Sequence, residues 1–298
     1  MIQLTFAIEL RYEIADQPAD FIFNVHAAHT PWQTVVSEAV TVTPPLEHAL
    51  QTEAVHGNRY MRLRAAPGPL TVRYAATVDI NHHRDSPAAL EEMPVAMLEP
   101  HIMEFVYPSR YCQSDRLRRF ASREFGHLRQ GYWRVQAIHD WVRNRVVFTP
   151  GSSNSSTSAV DTLIEQVGVC RDFAHLMIAL CRAVNIPARF VTGIDYGAAA
   201  ELGLPDFHAY VEVFLSGRWY AFDPTGITAP MGLVRIGTGR DAADVSFATM
   251  FGAVRSQAPL ITVSALDDPA NGYFLPQHSR EALSTAGGAS RAAAALAG

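Results

Sequence analysis

The N-terminal third of the chain alternates apolar and polar residues with a period of two, as half-buried β-strands do. Turn residues such as His56-Gly57-Asn58 and Pro67-Gly68-Pro69 interrupt the alternation. The pattern predicts strands over residues 4–12, 19–25, 34–42, 60–65 and 70–80. Several short strands at this spacing are typical of an antiparallel sandwich, so we predict an N-terminal β-sandwich over residues 1–105.

After a proline-containing connector over residues 81–108, the apolar spacing becomes helical. Two helices are predicted over residues 114–130 and 132–147, followed by a polar loop over 149–157. A capping pattern at Ser158 opens a short helix that ends at Gly168. The next predicted helix covers residues 170–184 and is closed by Pro187.

Strands return after Ala188. Residues 209–215 and 218–222 flank Ser216-Gly217, which is a strong signal for a two-residue hairpin. Residues 223–244 are predicted to be a loop, and 260–264 a last strand. These patterns predict an α+β protein in three parts: the sandwich over 1–105, a helix-and-sheet domain over 106–265, and a tail over 266–298. The tail ends in Ala, Gly and Ser, so we expect its end to be poorly ordered.

Composition narrows the functional classes. A chain of 298 residues with 48% hydrophobic and 18% charged residues is typical of a globular protein. A net charge of −5 argues against nucleic-acid binding, and no apolar run predicts a membrane helix. The N-terminus lacks a secretory pattern, and three cysteines form no disulfide framework, so we expect a cytoplasmic protein. All 24 basic residues are arginine, which excludes chemistry that needs a lysine.

Cys170 is the sharpest candidate for a reactive residue. It follows Gly168-Val169 and therefore lies in the first turn of a predicted helix. Unpaired backbone N–H groups at a helix start favour a thiolate and could also receive an oxyanion. The alternative is a small buried core residue, which is how we interpret Cys112 and Cys181.

A thiolate nucleophile needs a base, and the base needs an orienting group. If Ser216-Gly217 is the hairpin turn, the strand register places Tyr210 opposite Asp223. His208 then shares the face of Tyr210 and lies diagonal to Asp223, at a backbone separation of about 7–8 Å that the two side chains can bridge. One extra residue in the turn would reverse this relation. The pattern therefore predicts a site made of Cys170, His208 and Asp223.

Three blocks of sequence, 168–176, 208–213 and 219–225, resemble the bacterial transglutaminase-like superfamily. They read GVCRDFAHL, HAYVEV and WYAFDPT, and the order Cys, His, Asp with gaps of 38 and 15 residues also matches. Residues 239–245 are similar to a further family segment, and the N-terminal strands resemble the accessory domain that often precedes the catalytic module. Phe148 departs from the family, where tyrosine is frequent at this position.

The resemblance implies a papain-like core in which the cysteine helix packs against the sheet that carries His and Asp. It also implies roles: Cys170 as nucleophile, His208 as base and then acid, and Asp223 as orienting carboxylate. Acyl transfer would then proceed through a thioester. No cofactor is expected. His82-His83, and His26 with His29, lack a third ligand at a recognisable spacing, so we interpret them as solvated loop histidines instead of a metal site.

Two classes of function remain open. The first is a cysteine-dependent enzyme that acts on amide bonds of a peptide, a protein or a small amide. A peptidase or amidase is favoured over a transamidase because water needs no second binding site. The second class is a non-catalytic binding or scaffold protein on the same fold. Neither the substrate nor the oligomeric state follows from the sequence.

Overall fold

The computed structural model describes residues 1–198 and 206–288 of the chain. Four of its N-terminal strands bury every second side chain, as the alternation predicts; residues 2–14, for example, are buried at every even position. The strands of this region are β1 (Ile2–Ile14), β2 (Ala19–Phe23), β3 (Gln33–Thr43), β4 (Ala49–Thr52), β5 (Arg59–Ala65) and β6 (Gly68–Ile80).

The middle of the chain is mainly helical. Its elements are β7 (His83–Asp85), α1 (Pro100–Met103), α2 (Ser114–Phe125), α3 (Tyr132–Arg145), β8 (Val147–Phe148), α4 (Ala159–Glu165), β9 (Val167–Gly168) and α5 (Cys170–Ala183). α5 is the most buried helix of the chain, and it ends before Pro187 as predicted. Among the described helices, none has both the length and the apolar character required to cross a membrane.

Strands dominate the remainder. They are β10 (Ala188–Asp195), β11 (Phe207–Leu215), β12 (Arg218–Phe222), β13 (Leu233–Gly239), β14 (Ala248–Phe251), β15 (Val254–Ser256), β16 (Leu260–Ala265) and β17 (Ala282–Ser284). β10 to β13 form an antiparallel sheet in the order β12-β11-β10-β13. β13 lies within the stretch predicted to be a loop; all seven of its residues are buried, so it lacks the alternation that marks a half-buried strand.

Two antiparallel sheets face each other at the N-terminal end, in the orders β15-β1-β6-β3 and β14-β2-β5-β4. β16 also pairs with β1, beside β15. Side chains from both sheets share one core, for example Tyr12 and Phe21, whose ring centres are 5.3 Å apart. Residues 248–265 were expected in the second domain, but β14, β15 and β16 return to the first and extend its sheets.

A second core lies between the helices and the four-stranded sheet. α5 contributes Phe173, Met177 and Cys181, and the facing strand contributes residues such as Val211 and Val213. The helix therefore packs on the sheet, as the predicted fold requires. β13 joins the two halves because Val234 and Ile236 pack into the sandwich core.

The segment that follows β16 is held against the rest of the protein over part of its length. β17 pairs with β7, and Ala286 packs against Phe214 and Trp219. Residues 266–288 were predicted as part of a tail; these contacts need partners more than 60 residues away, which local patterns do not reveal. The final stretch, 289–298, lies outside the described residues.

Candidate active site

Cys170 is the first residue of α5, and the chain before it is shaped by a helix cap. The carboxylate of Asp172 accepts a hydrogen bond from the backbone N–H of Val169 at 2.8 Å. A Cβ added at Gly168 would lie 2.7 Å from the Cβ of Asp172, so only glycine leaves room for this cap. The thiol of Cys170 is partly exposed, and its Sγ lies 3.8 Å from the carbonyl oxygen of Phe207.

The hairpin has the predicted register. Ser216 and Gly217 both have positive φ, of 46° and 81°, as a two-residue turn of this kind requires. Leu215 pairs with Arg218, and the ladder continues to Val211 opposite Phe222. At the open end of the hairpin, Nε2 of His208 lies 3.0 Å from Oδ2 of Asp223.

The electrostatics of this pair follow from burial and mutual charge. Burial alone would lower the pKa of His208, but the charge and hydrogen bond of Asp223 outweigh it, and the adjacent Cys170 thiol adds to the effect. The pKa of His208 is therefore raised well above its ordinary value. For Asp223, burial acts to raise the pKa, yet His208 and Thr225 lower it overall. Because Nε2 faces Asp223, Nδ1 is the ring nitrogen available to the thiol.

Two residues that sequence reasoning missed hold Asp223 in place. Thr225 donates to Oδ1 from its backbone N–H at 3.0 Å and from its hydroxyl at 2.7 Å. His139 on α3 bonds through Nε2 to the backbone oxygen of Asp223 at 2.8 Å. Thr225 could have been found, since a threonine two residues after an aspartate commonly bonds its carboxylate. His139 lies 84 residues away, and no local pattern indicates its contact.

The polar loop over residues 149–157 is tied to the start of α5. Ser153 donates its hydroxyl to Oδ1 of Asp172 at 3.0 Å, and Arg171 donates to the backbone oxygen of Asn154 at 2.6 Å. Phe148, which precedes this loop, pairs with Gly168 and packs near Phe173. The loop therefore lies against the first turn of α5, which begins with Cys170. Residues 199–205, which precede β11, lie outside the described residues.

A second buried carboxylate lies close to the His–Asp pair. Asp195 ends β10, two residues past Gly193, which pairs with His208. Burial raises the pKa of Asp195, the charge of His208 opposes that shift, and the charge of Asp223 adds to it. Within the described ranges Oδ2 of Asp195 has no hydrogen-bond partner. Asp206, two residues before His208, is exposed and accepts a hydrogen bond from the backbone N–H of Phe207 at 2.7 Å.

The other two cysteines differ sharply from Cys170. Cys112 and Cys181 are fully buried in the helical core. Burial raises the pKa of the Cys112 thiol to about 12 and that of Cys181 further still. Neither can supply a thiolate near neutral pH.

Comparison with known families and structures agrees with this geometry. Residues 119–224 match the transglutaminase-like superfamily, and residues 2–101 match the N-terminal domain of bacterial transglutaminase. A solved structure from Cytophaga hutchinsonii, described as a candidate cysteine protease, is 41% identical and has a TM-score of 0.87. The match covers 95% of this chain and 97% of that one. The chain belongs to the transglutaminase-like superfamily.

Other similar proteins are more distant. The uncharacterized protein ML0607 of Mycobacterium leprae is 31% identical over 117 residues, which are 38% of this chain and 42% of that protein. The uncharacterized protein Rv2569c of Mycobacterium tuberculosis is 29% identical over 143 residues, 44% of this chain and 46% of that protein. The chain thus spans less than half the length of these curated relatives. The fold is the mixed α+β fold with antiparallel sheets that the sequence predicts.

Proposed function

We propose that this chain is a cysteine-dependent enzyme that cleaves amide bonds through a thioester, with Cys170, His208 and Asp223 as its catalytic residues. One observation carries the proposal. A partly exposed thiol at a helix start lies beside a histidine whose Nε2 is bound by a buried aspartate. This is the arrangement of nucleophile, base and orienting group that acyl transfer requires.

The first half of the reaction forms the thioester. His208, whose pKa is raised despite burial by Asp223 and the adjacent thiol, takes the proton of Cys170 and holds it at Nδ1. Sγ attacks the carbonyl carbon of the amide, and the C–N bond breaks. The departing nitrogen takes the proton from Nδ1 of His208 and leaves as an amine. We propose that the backbone N–H of Cys170, at the start of α5, binds the oxyanion.

The second half releases the acid. A water molecule gives one proton to the neutral His208, and its oxygen attacks the thioester carbon. The C–S bond breaks, and Sγ leaves as thiolate beside the restored imidazolium. Asp223 keeps the ring orientation through both halves, because its Oδ1 is held by Thr225 while Oδ2 faces Nε2. We propose a peptide, a protein or a small amide as substrate.

Transamidation is the second candidate, and the acidic surroundings of the site favour it. Asp195 lies two residues beyond Gly193, which pairs with His208 across the sheet. Asp206 precedes His208 by two residues along the chain. Two carboxylates beside the thioester would attract a protonated amine, which after losing a proton to His208 could replace water as acceptor. The chain contains no lysine, so an acceptor amine other than its own N-terminus must come from another molecule.

The test is to profile the wild type and Cys170→Ala against a peptide library, with and without an added primary amine. Mass spectrometry distinguishes an acid product from an amine adduct. Product that depends on Cys170 supports the enzyme, and adducts that appear only with amine assign it as a transamidase. If neither appears, and iodoacetamide labels Cys170 equally in wild type and His208→Ala, the non-catalytic alternative stands.

We place the reaction in a reducing compartment such as the cytoplasm, since all three cysteines are free.

A further inference from the structure

A cavity of about 240 Å³ lies at a distance from the thiol, where several parts of the chain meet. It is lined by residues of the sandwich, of the connector, of the four-stranded sheet and of the C-terminal segment; among them are His56, His101, Arg189, Trp219, Arg235 and Gly287. Arg189 pairs with Glu212, four residues along β11 from His208, or roughly 13 Å. The cavity is therefore separate from the candidate active site.

Two buried arginines share one acidic partner beneath this cavity. Arg189 and Arg235 are each only 6% exposed, and Glu212 between them is 1% exposed. Arg189 donates to Oε2 of Glu212 from Nε at 2.8 Å and also ion-pairs with it through Nη2 at 2.6 Å. The guanidinium of Arg189 is further fixed by stacking on Trp219, 4.2 Å from the ring centre. This arginine and the glutamate form a complete pair.

The guanidinium of Arg235 has longer and fewer polar contacts than that of Arg189. Its Nη1 is 3.6 Å from Oε1 of Glu212, and its Nη2 is 3.4 Å from the hydroxyl of Thr238. Nε has no partner in the part of the chain that the structure describes. One positive charge therefore remains uncompensated at a buried position, which is costly unless an anion joins it.

The lining of the cavity reinforces this excess of positive charge. No acidic side chain is among the described residues that line it; besides Glu212 beneath it, Glu104 pairs with the lining residue His56 at 3.3 Å. His29 and His101 add further potential N–H donors. A planar guanidinium fork matches the two oxygens of a carboxylate or a phosphate group.

We propose that this cavity binds a small oxyanion, a carboxylate or phosphate group, with the guanidinium of Arg235 as its principal contact. The anion neutralises the charge that Glu212 leaves uncompensated. Because the lining comes from four separate parts of the chain, the bound anion links them and stabilises the folded state. The site carries binding only, and it does not depend on the chemistry proposed for Cys170.

The experiment measures thermal unfolding in sodium phosphate and sodium acetate against sodium chloride at constant ionic strength. The variants are the wild type, Arg235→Gln and Arg64→Gln, an exposed arginine of the sandwich that controls for the loss of one charge. We expect a saturable rise of Tm in wild type and in Arg64→Gln. In Arg235→Gln the apparent Kd should be at least about tenfold weaker, because a charged hydrogen-bonding partner is lost. That variant should fold, since Arg189 and Glu212 remain paired.

Comparing phosphate with acetate also shows which of the two anion classes the cavity binds. A response to phosphate alone assigns a phosphate site, and a response to acetate assigns a carboxylate site. Titration calorimetry of the wild type with the same two salts repeats the test if Arg235→Gln does not fold. No saturable binding to the wild type, or equal responses in wild type and Arg235→Gln, would overturn the proposal. Cys170→Ala should respond as the wild type does, so failure of this site is distinct from failure of the enzyme.

Discussion

Gly168→Ala should destabilise the protein because it expels the cap of the cysteine helix. Backbone conformation is no obstacle, since Gly168 is not among the residues with positive φ. The obstacle is steric: the new Cβ would lie 2.7 Å from Cβ and 3.1 Å from Oδ2 of Asp172. The Asp172 side chain must move, although it is completely buried.

The magnitude follows from the bonds that this movement breaks. Asp172 accepts from the N–H of Val169 at 2.8 Å and from the hydroxyl of Ser153 at 3.0 Å. Hydrogen bonds to a buried charged group contribute about 1.5–3 kcal/mol each. A glycine-to-alanine change without a clash would instead stabilise by about 0.4–1 kcal/mol. With partial relaxation, we expect a net loss of about 2–4 kcal/mol in the free energy of unfolding.

A double-mutant cycle isolates this cause. Urea unfolding followed by circular dichroism would give the free energies for wild type, Gly168→Ala, Asp172→Gly and the double variant. In the Asp172→Gly background, Gly168→Ala should be almost neutral because the clashing atoms, Cβ included, are gone. Gly287→Ala, whose Cβ would have only an ordinary contact at 3.6 Å, serves as the control. Equal destabilisation by Gly168→Ala in both backgrounds would refute the reasoning.

Two further results are expected. His139→Phe removes the hydrogen bond to the backbone oxygen of Asp223. It should slow iodoacetamide labelling of Cys170 several-fold without changing the circular dichroism spectrum. An unchanged labelling rate would contradict this positioning role. Burial lowers the pKa of both His26 and His82 to about 4, so the unfolded chain binds protons first as the pH falls below about 6.5. The stability present above that pH should decline toward pH 4 by about 3 kcal/mol per histidine, as urea midpoints would measure, and a flat profile would contradict it.

The local parts of the fold and site follow from sequence because short-range rules determine them. Ser216-Gly217 defines a two-residue turn, and the turn fixes which residues of β11 and β12 face each other. That register brings His208 next to Asp223. The start of the cysteine helix is equally local, because Gly168 and Asp172 lie within one turn of it.

The remaining parts depend on contacts between distant segments. β16 pairs with β1 about 250 residues earlier in the chain, and its short exposed alternation does not reveal that partner. The burial of His26 depends on distant contacts in the same way. We expected His26 to be a solvated loop residue, but its ring lies 4.6 Å from that of Tyr74 inside the sandwich. Packing of distant segments, which no window of sequence contains, decides both cases.

The most direct test of an activated Cys170 thiol is its rate of alkylation by iodoacetamide in wild type and His208→Gln. Mass spectrometry of peptides identifies the labelled cysteine, and the rates are compared at pH 6 and pH 8. The raised pKa of His208 means that the imidazolium persists at pH 6, where an isolated thiol would be almost unreactive. We predict a rate at pH 6 that is at least about tenfold lower in His208→Gln, with a smaller difference at pH 8. Equal rates in the two proteins at pH 6 would contradict the account.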